Sequence, residues 1–127
     1  MKALTIKEPW ASLIIEGYKE YEFRSWKTNY RGKLLIHAGL TVEKEYLERF
    51  KDYNIHLKPG YILGEVELLD CIPVTEKFEN ELTEKDEKVY GKSKHRRGYA
   101  WKIGNIKKYN EPIRINGKLG LWDCNIW

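Results

Sequence analysis

The stretch Gly17-Tyr18-Lys19-Glu20-Tyr21-Glu22-Phe23-Arg24 joins the first apolar segment of the chain to its first strand pattern. From Glu20 onward the residues alternate. Tyr21 and Phe23 fall on one face of an extended strand, and Glu20, Glu22 and Arg24 fall on the other. Lys19 has the wrong parity for the charged face, so it is expected to leave the preceding turn at its own angle or to sit on a bulge. This arrangement carries an ammonium, a carboxylate and a guanidinium towards one spot beside a glycine. On these eight residues alone the plainer reading is an amphipathic edge strand whose charged face is solvated.

Upstream, residues 3 to 7 read as a short strand that Glu8-Pro9 breaks, with Pro9 suited to the first turn of a helix. Residues 10 to 16 form that helix and Gly17 is its left-handed terminator. Downstream, the loop 25 to 32 mixes Trp26 and Tyr30 with cations that include Arg31. Interleaved rings and cations suit stacking on bases and pairing with phosphates. They equally suit a loop whose rings plug the core. Residues 33 to 38 are nearly continuous apolar sequence, a strand buried on both faces, with His37 as its polar residue. A lone histidine in such a place is more often a satisfied core group than a catalyst.

A helix is expected from about residue 42 to 52, with Val42, Tyr46, Leu47 and Phe50 on one face. The longest strand runs from 61 to 71, where Gly64 permits a bend or a close approach. Residues 73 to 98 lack clear periodicity. Their acidic first part has room for a short exposed helix, and the run 92 to 97, with Arg96 and Arg97, is the densest cationic stretch in the chain. Such a run either closes over phosphates or is simply solvated. Tyr99, Trp101 and Ile103 mark one strand, and Ile113 and Ile115 mark another after Pro112. Asn116-Gly117 fits a type I′ hairpin turn into a last strand, residues 118 to 122. There Gly120, next to Leu121 and Trp122, is expected at a crowded strand crossing. Strands outnumber helices, which predicts an α+β protein built on a small, strongly bent sheet or barrel with helices at one end.

At 127 residues the chain amounts to one domain, 1–127, and five Trp and nine Tyr supply a packed core. Its 23 Lys and Arg against 19 Asp and Glu give a net charge of +4, which leans basic without arguing for nucleic acid by itself. Cys71 and Cys124 match no zinc spacing; a reduced pair is the default and a disulfide the alternative. No metal or cofactor is implied. Lys7 and Glu8 interrupt the early apolar residues, which argues against a signal peptide, and no segment has the length of a membrane span. The expectation is a soluble, cytoplasmic protein.

The Gly-x-Lys-x-x-Glu-x-Arg spacing of Gly17, Lys19, Glu22 and Arg24 resembles the signature of the ASCH (activating-signal-cointegrator homology) domain family. The flanking Lys7-Glu8-Pro9-Trp10-Ala11 and Asn29-Tyr30-Arg31-Gly32-Lys33-Leu34-Leu35-Ile36-His37-Ala38 are similar to it as well. So are Gly64-Glu65-Val66-Glu67-Leu68, Tyr99-Ala100-Trp101 and Gly117-Lys118-Leu119-Gly120-Leu121-Trp122, in the expected order. The resemblance implies a PUA-like β-barrel of about five to six strands with flanking helices and a cleft beside the signature. It also implies action on RNA or nucleotides. Some small bacterial members are amidohydrolases of acetylated cytidine, and a ribonuclease activity has been attributed to another. In the amidohydrolase branch the signature lysine works with a threonine, where this chain has Glu22.

Two functions follow. In the first, the protein binds single-stranded RNA, a nucleotide or a nucleoside without catalysis. Lys19 and Arg24 hold phosphate or carbonyl oxygens, and Lys7, Trp26, Tyr30, Arg31, His37, Arg96 and Arg97 complete the surface. In the second, it is a small hydrolase of nucleoside amides or RNA, with Lys19 and Glu22 catalytic and help from His37. The first is favoured, since the chain has no recognisable set of nucleophile, base and orienting group.

Overall fold

The computed structural model describes residues 1–91 and 98–126. Six strands form one sheet in the order β2-β5-β4-β3-β1-β6. They are β1 (Lys2–Glu8), β2 (Tyr21–Arg24), β3 (Gly32–Val42), β4 (Tyr61–Pro73), β5 (Tyr99–Arg114) and β6 (Leu121–Asp123). β1 runs parallel to β3, and every other pairing is antiparallel. The sheet is bent and barrel-like, but β2 and β6 remain as edges, so it does not close. Helices α1 (Trp10–Ile15), α2 (Glu76–Lys85) and α3 (Glu87–Tyr90) accompany it. The expected α+β class with a bent sheet and flanking helices is what forms. Among the described residues no helix is long and apolar enough to cross a membrane.

The core divides around the sheet. Leu4, Ile14, Leu34, Ile36, Val66 and Trp101 are buried together on one side. A second cluster joins Leu13 of α1 to Phe50, Leu82, Val89 and Tyr90, with Tyr21 and Phe23 packed against it. The apolar face read from β2 is therefore the face that docks the late helices. The acidic segment, expected to hold a short exposed helix, makes two helices that bury Leu82, Val89 and Tyr90. Each is capped as its sequence dictates: Thr75 accepts from Phe78 N and Asp86 from Val89 N. Cys71 and Cys124 are buried as free thiols.

Several local expectations are corrected. The helix expected over 42 to 52 is replaced by two single 3₁₀ turns, Lys44–Tyr46 and Glu48–Phe50. Val42 instead ends β3, where it pairs with Glu8, and Glu43 N donates to Glu8 O at 2.8 Å. Those sheet bonds hold the first residues extended, and what remains is long enough only for separate i→i+3 turns. Residues 99 to 114, expected to hold two strands, form one. Beyond Lys102 the neighbour β2 has ended, so β5 has β4 on one side only and Pro112 leaves no ladder bond unmade on the open side. The Asn116-Gly117 hairpin is absent. Neither residue has a positive φ, and β6 pairs with β1 rather than β5. Gly117 is small for another reason: a Cβ there would lie 2.6 Å from Thr5 Oγ1 and 2.7 Å from the His37 ring.

Two glycines give opposite tests of the sheet. The close approach expected at Gly64 is present, since a Cβ would stand 2.3 Å from Lys107 O and 3.0 Å from Lys108 Cα. Both neighbours are backbone, so Gly64→Ala must push β5 away from β4. A loss of about 2 kcal/mol or more in denaturant melts is expected. Gly120, in contrast, has nothing within 4 Å of its Cβ position, so the crowded crossing is not there; its φ is +66°. Backbone conformation is then what matters. Gly120→Val should cost about 1–2 kcal/mol, and Gly120→Asn should recover most of it, because Asn tolerates left-handed φ. Steric crowding would penalise both variants.

Candidate functional site

Gly17, at φ +85°, ends α1 and turns the chain back, and Tyr18 N and Lys19 N both donate to Leu13 O at 2.9 and 3.1 Å. Lys19 thus leaves the turn ahead of β2, as its parity suggested. Its side chain folds inward, only 5% exposed. The ammonium donates to Tyr21 O and lies 3.4 Å from Glu22 Oε1, with the Phe23 ring centroid at 4.6 Å. The ring face and the carboxylate both favour the cation there.

Glu22 is the centre of the arrangement. Its second oxygen, Oε2, accepts from Arg24 Nη2 at 3.1 Å, and its side chain is 11% exposed. The charged face of β2 is therefore not solvated, which corrects the plainer reading of this strand. Arg24 Nη2 also donates to Thr5 O at 2.9 Å, while its Nε is buried without a partner among the described residues. Removing one member of so enclosed a network strands the others as buried charges, a loss of about 3–5 kcal/mol for a fully buried pair. Behind Lys19, the Tyr90 hydroxyl accepts from Glu20 N at 2.7 Å, and burial pushes its pKa up to about 12. It stays protonated at any ordinary pH.

Lys19, Glu22, Phe23 and Arg24 line a cleft of about 840 Å³, within the range of small-molecule sites. Lys7 and Trp26 share it. Lys7 is exposed, and Trp26, 37% exposed, sets its ring edge-on against the buried Trp101 at 4.8 Å. Of the residues singled out from the sequence, Lys7, Lys19, Glu22, Arg24 and Trp26 are thus brought together. Tyr30 and Arg31 do not line the cleft. The Tyr30 hydroxyl donates to Lys33 O, and Arg31 donates to Thr28 O and to Asp70. Arg96 and Arg97 lie outside the described residues.

His37 lines a second, smaller cavity of about 350 Å³ instead. Its Nε2 lies 2.7 Å from Ile115 O, which can only accept, so Nε2 carries the proton. In the neutral ring Nδ1 then accepts from the Thr5 hydroxyl at 3.1 Å, and Trp122 Nε1 donates to Thr5 Oγ1 at 3.1 Å. Both ring nitrogens are thereby satisfied by groups that hold Thr5, β6 and the segment after β5 together.

The far wall of the cleft has no mark in the sequence. Trp10, Glu43, Tyr46 and Arg49 come from α1 and the two 3₁₀ turns, and Lys118 from the segment before β6. The Trp10–Glu43 hydrogen bond spans 33 positions, beyond any local pattern.

Comparison with known proteins matches the chain to one family. The family model of the ASCH domain covers residues 4–113. Activating signal cointegrator 1 from Homo sapiens and from Mus musculus are each 37% identical over 81 residues, covering 54% of this chain. The matched region is 14% of each of those proteins, so the chain spans only a small part of their length. The crystal structure of ASCH from Zymomonas mobilis superposes with a TM-score of 0.63 at 13% identity, covering 98% of this chain and 87% of that one. A variant of the same protein gives 0.60, also at 13% identity, over 98% of this chain and 88% of its own. The bent sheet is shared with the Zymomonas mobilis structures, and the chain belongs to the ASCH domain family.

Proposed function

We propose that the cleft binds single-stranded RNA or a nucleotide, with phosphates met by charge and a base met by stacking. The observation that carries this reading is the convergence of Lys7, Arg24 and an exposed Trp26 on one cleft large enough for a nucleotide. Arg24 spends Nη2 on Glu22 and Thr5 O, and its Nη1 makes no hydrogen bond among the described residues, so the guanidinium retains a donor group for a phosphate oxygen. Trp101 fixes one edge of Trp26 and leaves the ring a platform for a base. Lys19, bonded to Tyr21 and Glu22, acts chiefly by holding the carboxylate that orients Arg24. Membership of a family whose domains commonly bind RNA adds support.

A second reading rests on the enclosed Lys19–Glu22 pair, a proton acceptor held beside a cation within the cleft. In it the protein hydrolyses a nucleoside amide or RNA, with Glu22 as general base. Binding is the better supported, because the Glu22 oxygens are already occupied by Lys19 and Arg24.

Affinity for a short single-stranded RNA should fall as salt rises, by about 0.7 logarithmic units per decade for each phosphate contacted. Lys7→Ala, which breaks no ion pair, should weaken binding and reduce that slope by about 0.7 with an unchanged melting temperature. A slope that ignores the substitution would remove Lys7 from the interface.

Glu22→Gln separates the two readings. As a brace, the variant weakens RNA binding modestly and lowers stability, and wild type shows no turnover of acetylcytidine or RNA. As a general base, it lowers measured turnover on the order of a hundredfold while binding stays nearly intact.

A further inference from the structure

The cleft is lined by a second carboxylate besides Glu22, that of Glu43. Glu43 follows β3 directly, and its backbone is pinned by the bond from Glu43 N to Glu8 O at 2.8 Å. Its side chain is pinned too: Trp10 Nε1 donates to Glu43 Oε1 at 2.7 Å. Among the described residues nothing bonds to Oε2, and no lysine or arginine forms an ion pair with the carboxylate. Tyr46, one turn on, carries the Trp10 ring edge-on at 5.1 Å and the Arg49 guanidinium 4.8 Å from its own ring centroid. All four line the cleft. A half-buried carboxylate oriented by an indole and set among planar groups is a hydrogen-bond acceptor in the cleft lining, and unlike Glu22 it has no cation paired with it among the described residues.

We infer that Glu43 reads the Watson–Crick edge of a guanine, with Trp10 as the residue that positions it. This rests on the nucleic-acid reading of the cleft and adds its base preference. A carboxylate only accepts, and its two oxygens hold about four lone-pair positions, so the bond from Trp10 leaves room for two more donors. Guanine presents N1–H and N2–H side by side, which two carboxylate oxygens match. Adenine and cytosine each set one amino group beside a ring-nitrogen acceptor, and uracil sets its N–H between two carbonyls. Each of these would place a lone pair against the negative charge. Stacking of the purine on the Arg49–Tyr46 and Trp10 surfaces adds no base preference of its own but holds the edge in place.

The test compares eight-residue oligouridine RNAs carrying one central guanine, inosine, adenine or cytosine, alongside the four free nucleoside monophosphates. Wild-type protein should bind the guanine strand roughly five- to a hundredfold more tightly than the adenine strand, with inosine, which lacks N2–H, between them. Glu43→Gln should bring that ratio near one, mainly by weakening binding of the guanine strand. Trp10→Phe, which keeps a ring but no N–H, should narrow the ratio without abolishing binding. A preference seen with GMP but not with RNA identifies the free nucleotide as the source of the base; the reverse identifies the strand. Measurable binding with equal affinity for all the central bases overturns the inference and leaves the binding reading standing. No binding of any RNA or nucleotide at low salt overturns both. A guanine preference that survives Glu43→Gln assigns the readout elsewhere and also overturns it.

Discussion

The fold and the cleft depend together on the Glu22 carboxylate held between Lys19 and Arg24. β2 and β1 are separated by three strands in the sheet and are not hydrogen-bonded neighbours, yet Arg24 of β2 donates to Thr5 O of β1. That bond exists because the sheet bends far enough to bring its ends together. Glu22 keeps the guanidinium aimed across the gap, and Lys19 keeps Glu22 from being an uncompensated buried charge. The same three side chains line the cleft, so bracing the bent sheet and shaping the cleft are a single arrangement.

Thr5 carries the constraint further. Its carbonyl takes Arg24, and its hydroxyl stands between His37 Nδ1 and Trp122 Nε1. His37 then holds Ile115 O, fixing the start of the segment that brings Lys118 to the cleft. An unmade bond at any of these buried groups carries a desolvation penalty of about 1–3 kcal/mol, which favours one geometry for the whole chain of contacts. His37 therefore does for β1 and the segment after β5 what Glu22 does for β1 and β2. The His37 bonds tie together segments distant in sequence directly, whereas the Glu22 bonds are local and reach β1 only through Arg24.

Much of this was legible locally. The parity of Tyr21 and Phe23 against Glu22 and Arg24 determined which face of β2 docks the helices and which enters the cleft. Gly17 marked the end of α1 and Gly64 a backbone contact, because a positive φ or an excluded Cβ leaves a trace in residue type. The motif spacing carried the family and, with it, the bent sheet. Local pattern failed where partners were remote. Pairing of Val42 with Glu8 overrode a helical periodicity, and Gly117 was read as a turn residue although its smallness serves the His37 and Thr5 contact.

What the sequence by itself determined is β1, α1, β2 and the charged trio, since alternation and glycine placement act within a few residues. Tertiary structure decided that Glu22 is buried rather than solvated, because only the bend of the sheet removes water from that face. It also decided the far wall. Trp10, Glu43, Tyr46 and Arg49 become neighbours only when β3 returns beside β1, and no spacing in the chain encodes that meeting. Burial and convergence are properties of the bent sheet, and they follow from long-range pairing that no single segment specifies.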